Sequence, residues 1–473
     1  MEAHVRTELI DLLSPGKKVF LIGIGGVGMS ALARILLSRG LQVSGSDTKR
    51  GRMVKRLEEE GIHVLTAHGS SFDERPDWVI YSSAIGKHNP DVTNAVSLGI
   101  PMYHRAEVLS FLMNRVISLA ITGAHGKTTS AAFTSFLMTQ AGLKPTCLVG
   151  GEILNFGSNV LMGDPHLFVA EVDESDRTQL HFSPDFALIT NLDAEHLDVY
   201  RDLTDIKDSF RRFIDQVKTA GRVVYCLDDP HLREITSERP AGAVSFGLSA
   251  ASDFHARDIN LNGFHSNYVL YERGERIEQI QLSIPGIHNV VNSLGVVALL
   301  RSFGLRYDQF LRFISEFRGA GRRLEVKLNR KDLLVIDDYA HHPTEVRATL
   351  QALQGLGRKT TAIFQPHRFS RTAHLAQEFS QVFRCADRVL LTDIYGAGEE
   401  NPNQINVRLI YDAVKESGHP DVRMIGRHEI IDFLVAHLDG EGTIAFLGAG
   451  DIGEIADDFA SRFEDSYSHQ RST

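Results

Sequence analysis

The stretch ITGAHGKTTS, residues 121–130, carries residue types that bind the phosphates of a nucleotide. Lys127 would reach the outer phosphates, and Thr128 would offer its hydroxyl to a divalent ion. The common phosphate-binding loop reads G-x-x-x-x-G-K-[ST], but Ile121 stands at the position of its first glycine, and the nearest upstream glycine is Gly123. The stretch therefore predicts a shorter variant of the loop, with a surface turn that binds nothing as the alternative.

Two side chains further along the chain are typical of a metal site beside such a loop. Glu171 ends the apolar part of LFVAEVDES, and His196 follows the next apolar run, FALITNL. Open α/β sheets bind ligands at the carboxyl ends of their strands, so we expect both side chains near the loop. Taken alone, His196 would be a polar loop residue. Beside a carboxylate and a phosphate loop, binding of a divalent ion is favoured.

A second glycine-rich stretch, GIGGVG at 23–28, fits the pattern G-x-G-x-x-G. It follows an apolar run, opens a helix-like segment and precedes Asp47, which ends a second apolar run. This context is typical of a dinucleotide-binding turn, in which the acidic residue binds a ribose hydroxyl. It predicts a site for a nucleoside diphosphate, of which a nicotinamide cofactor is one version, with a tight turn that binds nothing as the alternative. GAGDIG at 448–453 resembles a further turn of this kind, and we assign no cofactor to it.

Short apolar runs that alternate with helix-like segments must position these residues. The runs lie at 19–25, 78–84, 117–123, 167–175, 186–192, 222–226, 333–340, 360–367, 388–395 and 443–450. Continuous apolar runs indicate strands buried on both faces, hence parallel sheets covered by helices. The stretch 252–286 alternates around a glycine turn instead, which predicts antiparallel hairpins attached to the second sheet. We predict three α/β domains, with boundaries that give 1–116, 117–321 and 322–473.

Composition narrows the class of protein. A chain of 473 residues is long enough for roughly three domains. The net charge of −10 gives no support for nucleic-acid or membrane binding. The three cysteines are sparse and include no C-x-x-C pair, which fits a reducing compartment. The N-terminal stretch lacks the apolar core of a signal peptide, and no apolar run approaches the roughly 18 residues of a membrane span. We expect a soluble, cytoplasmic protein, and the oligomeric state is left open.

An ordered set of motifs covers most of the chain. It comprises GIGGVGMSALA, GSD, YSSAI, RAE, GAHGKTT, EVDESD, TNLDAEHLD, GIHNVVN, GRRLE, DDYAHHPTE, QPHRFSRT, DIYGAGE and GAGDIG. In this order and spacing the set resembles the Mur ligases of bacterial cell-wall synthesis. The resemblance implies an N-terminal Rossmann-like UDP-binding domain, a central P-loop-type ATPase domain and a C-terminal Rossmann-like domain. It also implies that GIGGVG holds the diphosphate of a UDP-sugar.

The resemblance further implies a role for each residue that matches a family motif. The UDP-sugar site comprises Gly25, Gly26, Val27, Gly28, Asp47, His68, Ser82, Ser83 and Arg105. The ATP site comprises Gly123, Ala124, His125, Gly126, Lys127, Thr128, Thr129, His288, Asn289, Asn292, Arg323 and Asp338. Thr128 and Glu171 would hold one Mg²⁺ and His196 a second, while Tyr339, His341, Arg368 and Arg371 would line an amino-acid pocket. The catalytic set implied is Lys127, Glu171, His196, Arg323 and His341.

The reaction implied is the ATP-dependent addition of L-alanine to the carboxylate of UDP-N-acetylmuramate through an acyl phosphate, with Mg²⁺ or Mn²⁺. The chain departs from the family pattern at Ala124, where threonine is common, and at 210–212, where many sister ligases carry a carbamylated lysine. Three alternatives remain open. They are a ligase that attaches a preformed peptide to the same sugar, an NAD-dependent oxidoreductase, and a nucleotide-gated binding protein without chemistry.

Overall fold

The computed structural model describes residues 9–69, 72, 75–196, 199–237, 242–437 and 442–470, with side chains up to residue 463. Every candidate site residue named above lies within these ranges. Residues 1–8, which entered the prediction of a cytoplasmic protein, lie outside them. The chain forms two compact units. The first comprises 1–257, 270–278 and 291–314, and the second comprises 258–269, 279–290 and 315–473.

Five parallel strands form the first sheet, which belongs to the first unit. They are β1 (Lys18–Ile22), β2 (Gln42–Ser46), β3 (His63–Leu65), β4 (Trp78–Tyr81) and β5 (Met102–His104). The helices are α1 (Val27–Ser38), α2 (Arg52–Glu59), α3 (Pro90–Ser97) and α4 (Arg105–Asn114). The strand order β3-β2-β1-β4-β5 reverses direction between β1 and β4. Ligands of doubly wound sheets bind at that point, and GIGGVG follows β1 there.

The second sheet has ten strands in the order β15-β14-β13-β12-β11-β10-β6-β9-β7-β8. They are β6 (Ile117–Thr122), β7 (Pro145–Ile153), β8 (Ser158–Leu161), β9 (Asp164–Glu171), β10 (Phe186–Ile189), β11 (Arg222–Cys226), β12 (Val244–Gly247), β13 (Phe254–Asn262), β14 (His265–Glu272) and β15 (Glu275–Leu282). The helices are α5 (Lys127–Gln140), α6 (Leu203–Gln216), α7 (Pro230–Thr236), α8 (Ile287–Phe303) and α9 (Tyr307–Phe310), with 3₁₀ turns at Thr178–His181 and Leu311–Glu316. Strand β6 runs parallel to both of its neighbours, β9 and β10, so the carboxyl ends of these three strands meet at one edge.

The hairpins predicted within 252–286 are present as β13, β14 and β15. Consecutive strands are neighbours in the sheet and are joined by two-residue turns. The second turn has positive φ at both central residues, 49° at Arg273 and 84° at Gly274. Such dihedral angles are typical of the tight hairpin turns whose twist matches that of the flanking strands.

The third sheet has six strands in the order β16-β17-β21-β18-β19-β20 and belongs to the second unit. They are β16 (Glu325–Asn329), β17 (Leu333–Asp338), β18 (Lys359–Phe364), β19 (Arg388–Leu391), β20 (Val422–Met424) and β21 (Gly442–Leu447). The helices are α10 (Pro343–Gln354), α11 (Phe369–Leu375), α12 (Arg408–Glu416), α13 (Ile430–Ala436) and α14 (Ile452–Gln470), with 3₁₀ turns at Glu378–Cys385 and Arg427–Glu429. Alternate residues of β17 enter two different apolar clusters, so the sheet is buried on both faces.

The prediction of α/β blocks built on parallel sheets is confirmed, with two exceptions at the ends of sheets. Strand β8 is antiparallel to β7, and β16 is antiparallel to β17. Both are edge strands, so each pairs with a neighbour on one side only. An antiparallel strand at the edge of an otherwise parallel sheet is common. The boundaries at 116 and 321 fall between sheets and stay predictions. Among the described residues, no helix is long and apolar enough to span a membrane.

Candidate active site

The loop of residues 123–126, between β6 and α5, requires glycine at two positions. Gly123 has φ 125° and Gly126 has φ 81°, which other residues rarely adopt. A Cβ on Gly123 would collide with the Thr190 hydroxyl, and one on Gly126 would lie 2.6 Å from Asn292 Oδ1. The loop therefore packs closely against the segment after β10 and against α8, and it leads into the N-terminus of α5, the end of a helix that favours anions.

Asn191, which sequence reasoning did not select, clamps this loop. Its Oδ1 accepts the His125 N–H at 2.8 Å, and its Nδ2 donates to the His125 carbonyl at 3.0 Å. Its backbone carbonyl accepts the Ala124 N–H at 3.0 Å. The amides of residues 124 and 125 are thus bonded within the protein. We expect a phosphate to be bound by the first-turn amides of α5 and by Lys127.

We predict that Asn191→Ala weakens ATP binding by up to about 30-fold, because two hydrogen bonds that order the loop are lost at about 1 kcal/mol each. Isothermal titration calorimetry with ATP measures this. Asn401→Ala is the matched control, because Asn401 forms the same pair of bonds with the Ile405 backbone, both at 2.8 Å. Equal ATP affinity in the Asn191 variant and the wild type would contradict the clamp.

Lys127, the first residue of α5, is buried against carboxylates. Its Nζ donates to the Gly123 carbonyl at 2.6 Å and to Glu174 Oε1 at 2.9 Å. Burial would lower the pKa of Lys127, but Glu174, Asp173 and Glu171 raise it above its ordinary value. For the Glu174 carboxyl, burial has the opposite effect and raises the pKa. Lys127 is therefore a charged group fixed at the loop. Glu174 is its hydrogen-bond partner, which the sequence pattern did not single out.

Thr128 and Glu171 lie together as predicted from their positions at strand ends. The Thr128 hydroxyl donates to Glu171 Oε1 at 3.2 Å, and Glu171 Oε2 accepts the Gly150 N–H at 2.9 Å. Strand pairing explains the proximity, since Glu171 stands opposite Ile121 in the β6–β9 register. A hydroxyl and a carboxylate beside a phosphate loop are the oxygen ligands that Mg²⁺ prefers.

His196 lies among acidic side chains other than the one the sequence suggested. Its Nε2 is 3.8 Å from Glu174 Oε1 and 3.6 Å from Glu195 Oε2. The three side chains offer ligand atoms that all lie within 4.8 Å of one another. His196 also has φ 56°, a left-handed conformation that the turn imposes on a non-glycine residue. The geometry thus joins His196 to Lys127 through Glu174.

The GIGGVG turn at the end of β1 packs closely against Asp47 and Arg105. Gly25 N–H donates to Asp47 Oδ2 at 2.9 Å, which fixes the carboxylate beside the turn. A Cβ on Gly28 would collide with the guanidinium of Arg105. Gly26 caps α1, and the exposed Val27 is its first residue. The predicted residues Gly25 to Gly28, Asp47 and Arg105 therefore lie together at the carboxyl edge of the first sheet.

His68 is held at the same edge by a carboxylate that sequence reasoning missed. Its Nδ1 is 2.8 Å from Asp91 Oδ2 and 3.0 Å from the Ser46 hydroxyl. Asp91 is fully buried and also accepts the Ser46 hydroxyl at 2.6 Å and the Gly69 N–H at 2.8 Å. Since two acceptors cannot share a hydrogen bond, His68 Nδ1 carries the proton, and its Nε2 is the atom left for a ligand.

Ser83, after β4 of the first sheet, is linked to the segment that follows β9 of the second sheet. Its neighbour Ser82 is half-buried. The Ser83 hydroxyl is 3.1 Å from His104 Nε2 and donates to Asp176. His104 Nδ1 accepts the Ala106 N–H at 3.3 Å, so Nε2 is the protonated nitrogen. Burial lowers the pKa of His104, which keeps the ring neutral. This is a chain of hydrogen bonds that ends on a carboxylate and has no activated nucleophile.

Asp173 lies under the influence of both loops. Burial would raise its pKa, but Lys127 and Arg105 hold that pKa below its ordinary value. Arg105 touches the GIGGVG turn, and Lys127 belongs to the loop at 123–126. Two cations therefore act on one carboxylate, one beside the GIGGVG turn and one at the loop of residues 123–126, and both of these loops lie in the same compact unit.

The second unit carries a row of aromatic and cationic side chains at the ends of β17, β18 and β19. The rings of Tyr339 and His341 meet edge to face at 5.5 Å between centroids, as do those of His341 and His367. His367 in turn stacks on Tyr395 at 5.8 Å. The Arg371 guanidinium approaches His367 Nδ1 at 3.3 Å. His367 and Tyr395 are members of this row that the sequence did not select.

Both histidines of the row are neutral. Burial lowers the pKa of His367 to about 3, and burial also holds the pKa of His341 well below its ordinary value. His341 Nδ1 lies 3.0 Å from the Tyr339 carbonyl, so it carries the proton and leaves Nε2 as an acceptor. An imidazole with so low a pKa accepts a hydrogen bond from an ammonium better than it removes a proton.

The remaining predicted residues of the second unit are buried or anchored. Asp338 accepts the Leu324 N–H at 2.9 Å and the Thr349 hydroxyl at 3.1 Å, and burial raises its pKa. Arg323 Nη1 is 3.7 Å from Glu345 Oε1. Two side chains of α8 belong here: Asn289 donates to the Pro285 carbonyl at 2.7 Å, and burial lowers the pKa of His288 to about 4. Arg368 has φ 67° at the start of α11, and its guanidinium is 3.9 Å from Glu399.

Comparisons with known proteins cover nearly the whole chain. The Mur ligase family catalytic domain matches residues 18–116, the Mur ligase middle domain matches 121–300, and the Mur ligase glutamate ligase domain matches 322–450. The UDP-N-acetylmuramate–L-alanine ligase of Geotalea uraniireducens is 38% identical over 95% of this chain and 98% of that protein. The enzyme of the same name from Desulforamulus reducens is 37% identical over 96% of this chain and all of that protein.

Solved structures agree with the sequence comparisons. The crystal structure of the UDP-N-acetylmuramate–alanine ligase of Thermotoga maritima superposes with a TM-score of 0.82 at 28% identity, over 95% of this chain and 99% of that one. A murein peptide ligase of Psychrobacter arcticus shares the fold, with a TM-score of 0.71 at 21% identity over 94% of this chain and 98% of that one. On the sequence identity over nearly its full length, this chain belongs to the Mur ligase family.

Proposed function

We propose that this chain is an ATP-dependent ligase that joins L-alanine to the carboxylate of UDP-N-acetylmuramate, with release of ADP and phosphate. The observation that carries the proposal is the segment 171–176, in which Glu174 accepts a hydrogen bond from Lys127 of the second loop and Asp176 accepts one from Ser83, a residue assigned to the UDP-sugar site. A segment that contacts residues of both predicted sites suits a reaction in which one bound nucleotide must meet the group carried by another. The names of the full-length relatives favour alanine as the amino acid.

The first step is transfer of the γ-phosphoryl group to the substrate carboxylate. A carboxylate oxygen attacks the γ-phosphorus, the bond to ADP breaks, and an acyl phosphate forms. The two reactants are both anionic, so the main barrier is their repulsion, and Lys127 with the first-turn amides of α5 offsets it. Thr128 and Glu171 would hold Mg²⁺, which neutralises phosphate charge when bound.

The second step is attack of the alanine amine on the acyl phosphate. The nitrogen bonds to the carbonyl carbon, the carbon–oxygen bond to phosphate breaks, and a proton leaves the nitrogen. Arg371 suits the alanine carboxylate, and His341 Nε2 suits a hydrogen bond from its amine. No enzyme nucleophile is required, which agrees with the Ser83 chain having none.

The test is ATP-dependent phosphate release in the presence of Mg²⁺, with each substrate omitted in turn. The proposal predicts release only when UDP-N-acetylmuramate and L-alanine are both present. A parallel assay replaces L-alanine with L-Ala-γ-D-Glu-meso-diaminopimelate, and faster turnover of that peptide would favour the peptide ligase. A change in absorbance at 340 nm with NAD(P)H, and no phosphate release, would favour the oxidoreductase.

A further inference from the structure

We propose that Arg322, the first arginine of GRRLE, is a positioning residue that aims Arg323 and Tyr339 by anchoring their segments to the GAGDIG turn. The inference rests on the proposed function, because the ligands assigned to Arg323 and Tyr339 are those of the ligase. It also gives GAGDIG a role that involves no cofactor. All the residues that carry it lie in the second unit.

Every nitrogen of the Arg322 guanidinium donates within the protein. Nε donates to Asp337 Oδ2 at 3.2 Å, Nη1 to the Gly450 carbonyl at 3.0 Å, and Nη2 to the Gly448 carbonyl at 2.6 Å. Asp337 is 1% exposed at the end of β17. A guanidinium held by three acceptors is fixed in direction, and its donors are used within the protein rather than for a phosphate.

The GAGDIG turn is shaped to receive this guanidinium. A Cβ on Gly453 would lie 2.8 Å from Asp337 Oδ2 and 2.9 Å from Arg322 Nε. Gly448 has φ 150°, and its carbonyl and that of Gly450 both point to Arg322. The Ile452 amide at the start of α14 donates to Gln365 Oε1 at 3.2 Å. The glycines of this turn thus make room for the Arg322 side chain. The first amide of α14 is already bonded to the Gln365 side chain.

The backbone around Arg323 shows what the anchor supports. Arg322 and Leu324 have φ of 56° and 47°, left-handed conformations that cost on the order of 1 kcal/mol or more each in residues other than glycine. Leu324 N–H is held by Asp338 at 2.9 Å, and the Arg322 carbonyl accepts the Tyr339 N–H at 2.7 Å. Arg323 therefore projects from between two strained residues that the surroundings hold in place.

The same anchor places the Tyr339 ring. The guanidinium of Arg322 lies 5.2 Å from the centroid of that ring, and the guanidinium of Arg323 lies 5.0 Å from it. Contacts of this kind stabilise both partners by about 0.5–2 kcal/mol. Arg322 thus contacts Tyr339 through its carbonyl and through its guanidinium, and it precedes Arg323 in the chain. One residue fixes the direction of both predicted ligand-binding side chains.

The experiment uses Arg322→Lys in the full chain, because lysine keeps the charge and cannot bond Asp337 and two carbonyls in one plane. We expect kcat/KM for ATP and for L-alanine to fall roughly 100-fold, the effect of misplacing a reacting group by about 1 Å. KM for UDP-N-acetylmuramate should stay within about twofold. Gly453→Ala should act in the same direction, since its Cβ presses on Arg322 Nε without changing charge.

Arg388→Lys is the matched control. Arg388 also donates to a carboxylate, Asp421, at 2.8 Å and lies 5.8 Å from an aromatic centroid, that of Phe433. Arg388→Lys should leave KM for ATP, for L-alanine and for UDP-N-acetylmuramate unchanged. Differential scanning calorimetry of each variant distinguishes an unfolded variant from a folded one in which Arg323 and Tyr339 are displaced. If Arg322→Lys does not fold, Gly453→Ala is used for the test instead.

A double-mutant cycle of Arg322→Lys with Arg323→Lys decides between positioning and independent action. The cycle is read on kcat/KM for ATP, the ligand assigned to Arg323. If Arg322 acts on ATP through Arg323, this value for the double variant is lower than that for Arg323→Lys by no more than about threefold. Multiplied losses, or an Arg322→Lys enzyme within twofold of wild type, would overturn the inference. A wild-type chain without ligase activity would instead overturn the proposed function, so the two failures are distinct.

Discussion

Lys127→Met is expected to lower kcat/KM for ATP-dependent phosphate release by at least roughly 10²–10³-fold, the usual cost of removing one preorganised charge from such a site. Lys127 is the charged group that belongs to the phosphate loop itself, and its ammonium is positioned by the Gly123 carbonyl at 2.6 Å. Methionine is unbranched and only one atom shorter than lysine, so it mainly removes the charge and the hydrogen bonds. Phosphate release with saturating UDP-N-acetylmuramate and L-alanine measures the effect.

The same substitution should also destabilise the fold, because it leaves Glu174 buried without its cation. Removing one partner of a buried pair typically costs about 3–5 kcal/mol. Glu174 is 4% exposed. The double variant Lys127→Met/Glu174→Gln should recover most of that stability in urea denaturation and none of the activity. If activity returned together with stability, Lys127 would have only a structural role at this loop.

Glu171→Gln is the second large effect expected, with a loss of roughly 10²–10³-fold in kcat/KM and a weaker response to Mg²⁺. The amide can still bond Thr128 or Gly150, so the local structure should hold. Only the negative charge that a divalent ion requires is lost. A titration of phosphate release with Mg²⁺ should show half-saturation shifted to higher concentration by roughly 10- to 100-fold, with partial recovery at high Mg²⁺.

Asp164→Asn is the control for this charge change. Asp164 begins strand β9, which Glu171 ends, and it is exposed at the opposite edge of the sheet. Removal of the Asp164 charge should leave the Mg²⁺ titration unchanged. An unaltered Mg²⁺ titration in the Glu171 variant would exclude Glu171 as a metal ligand.

Local patterns in the sequence located the residues that stand directly at strand ends. Lys127 and Thr128 follow β6, and Glu171 ends β9, so an apolar run followed by a polar residue was a sufficient signal. The glycine turn after β1 was found in the same way. In each case the functional group lies within a few residues of a buried strand, and the rule for open α/β sheets then gives its location.

Partners of these residues could not be found from local patterns. Nothing in the spacing of EVDESD distinguishes Glu174, which bonds Lys127, from Asp176, which bonds Ser83. The distinction arises because β6 lies between β9 and β10, an order that no single segment encodes. Asp91 follows β4 and bonds Ser46 at the end of β2, two strands away in the sheet. Arg322 likewise depends on a turn more than a hundred residues away.

The central claim is that ATP activates the carboxylate of UDP-N-acetylmuramate for attack by L-alanine. It is tested most directly with UDP-N-acetylmuramate labelled with ¹⁸O in that carboxylate. With ATP, Mg²⁺ and L-alanine present, mass spectrometry of the released phosphate should find one labelled oxygen in each phosphate, because the oxygen that attacks the γ-phosphorus leaves with it. Phosphate released without the label would mean that water is the acceptor, and the account of a ligase would be contradicted.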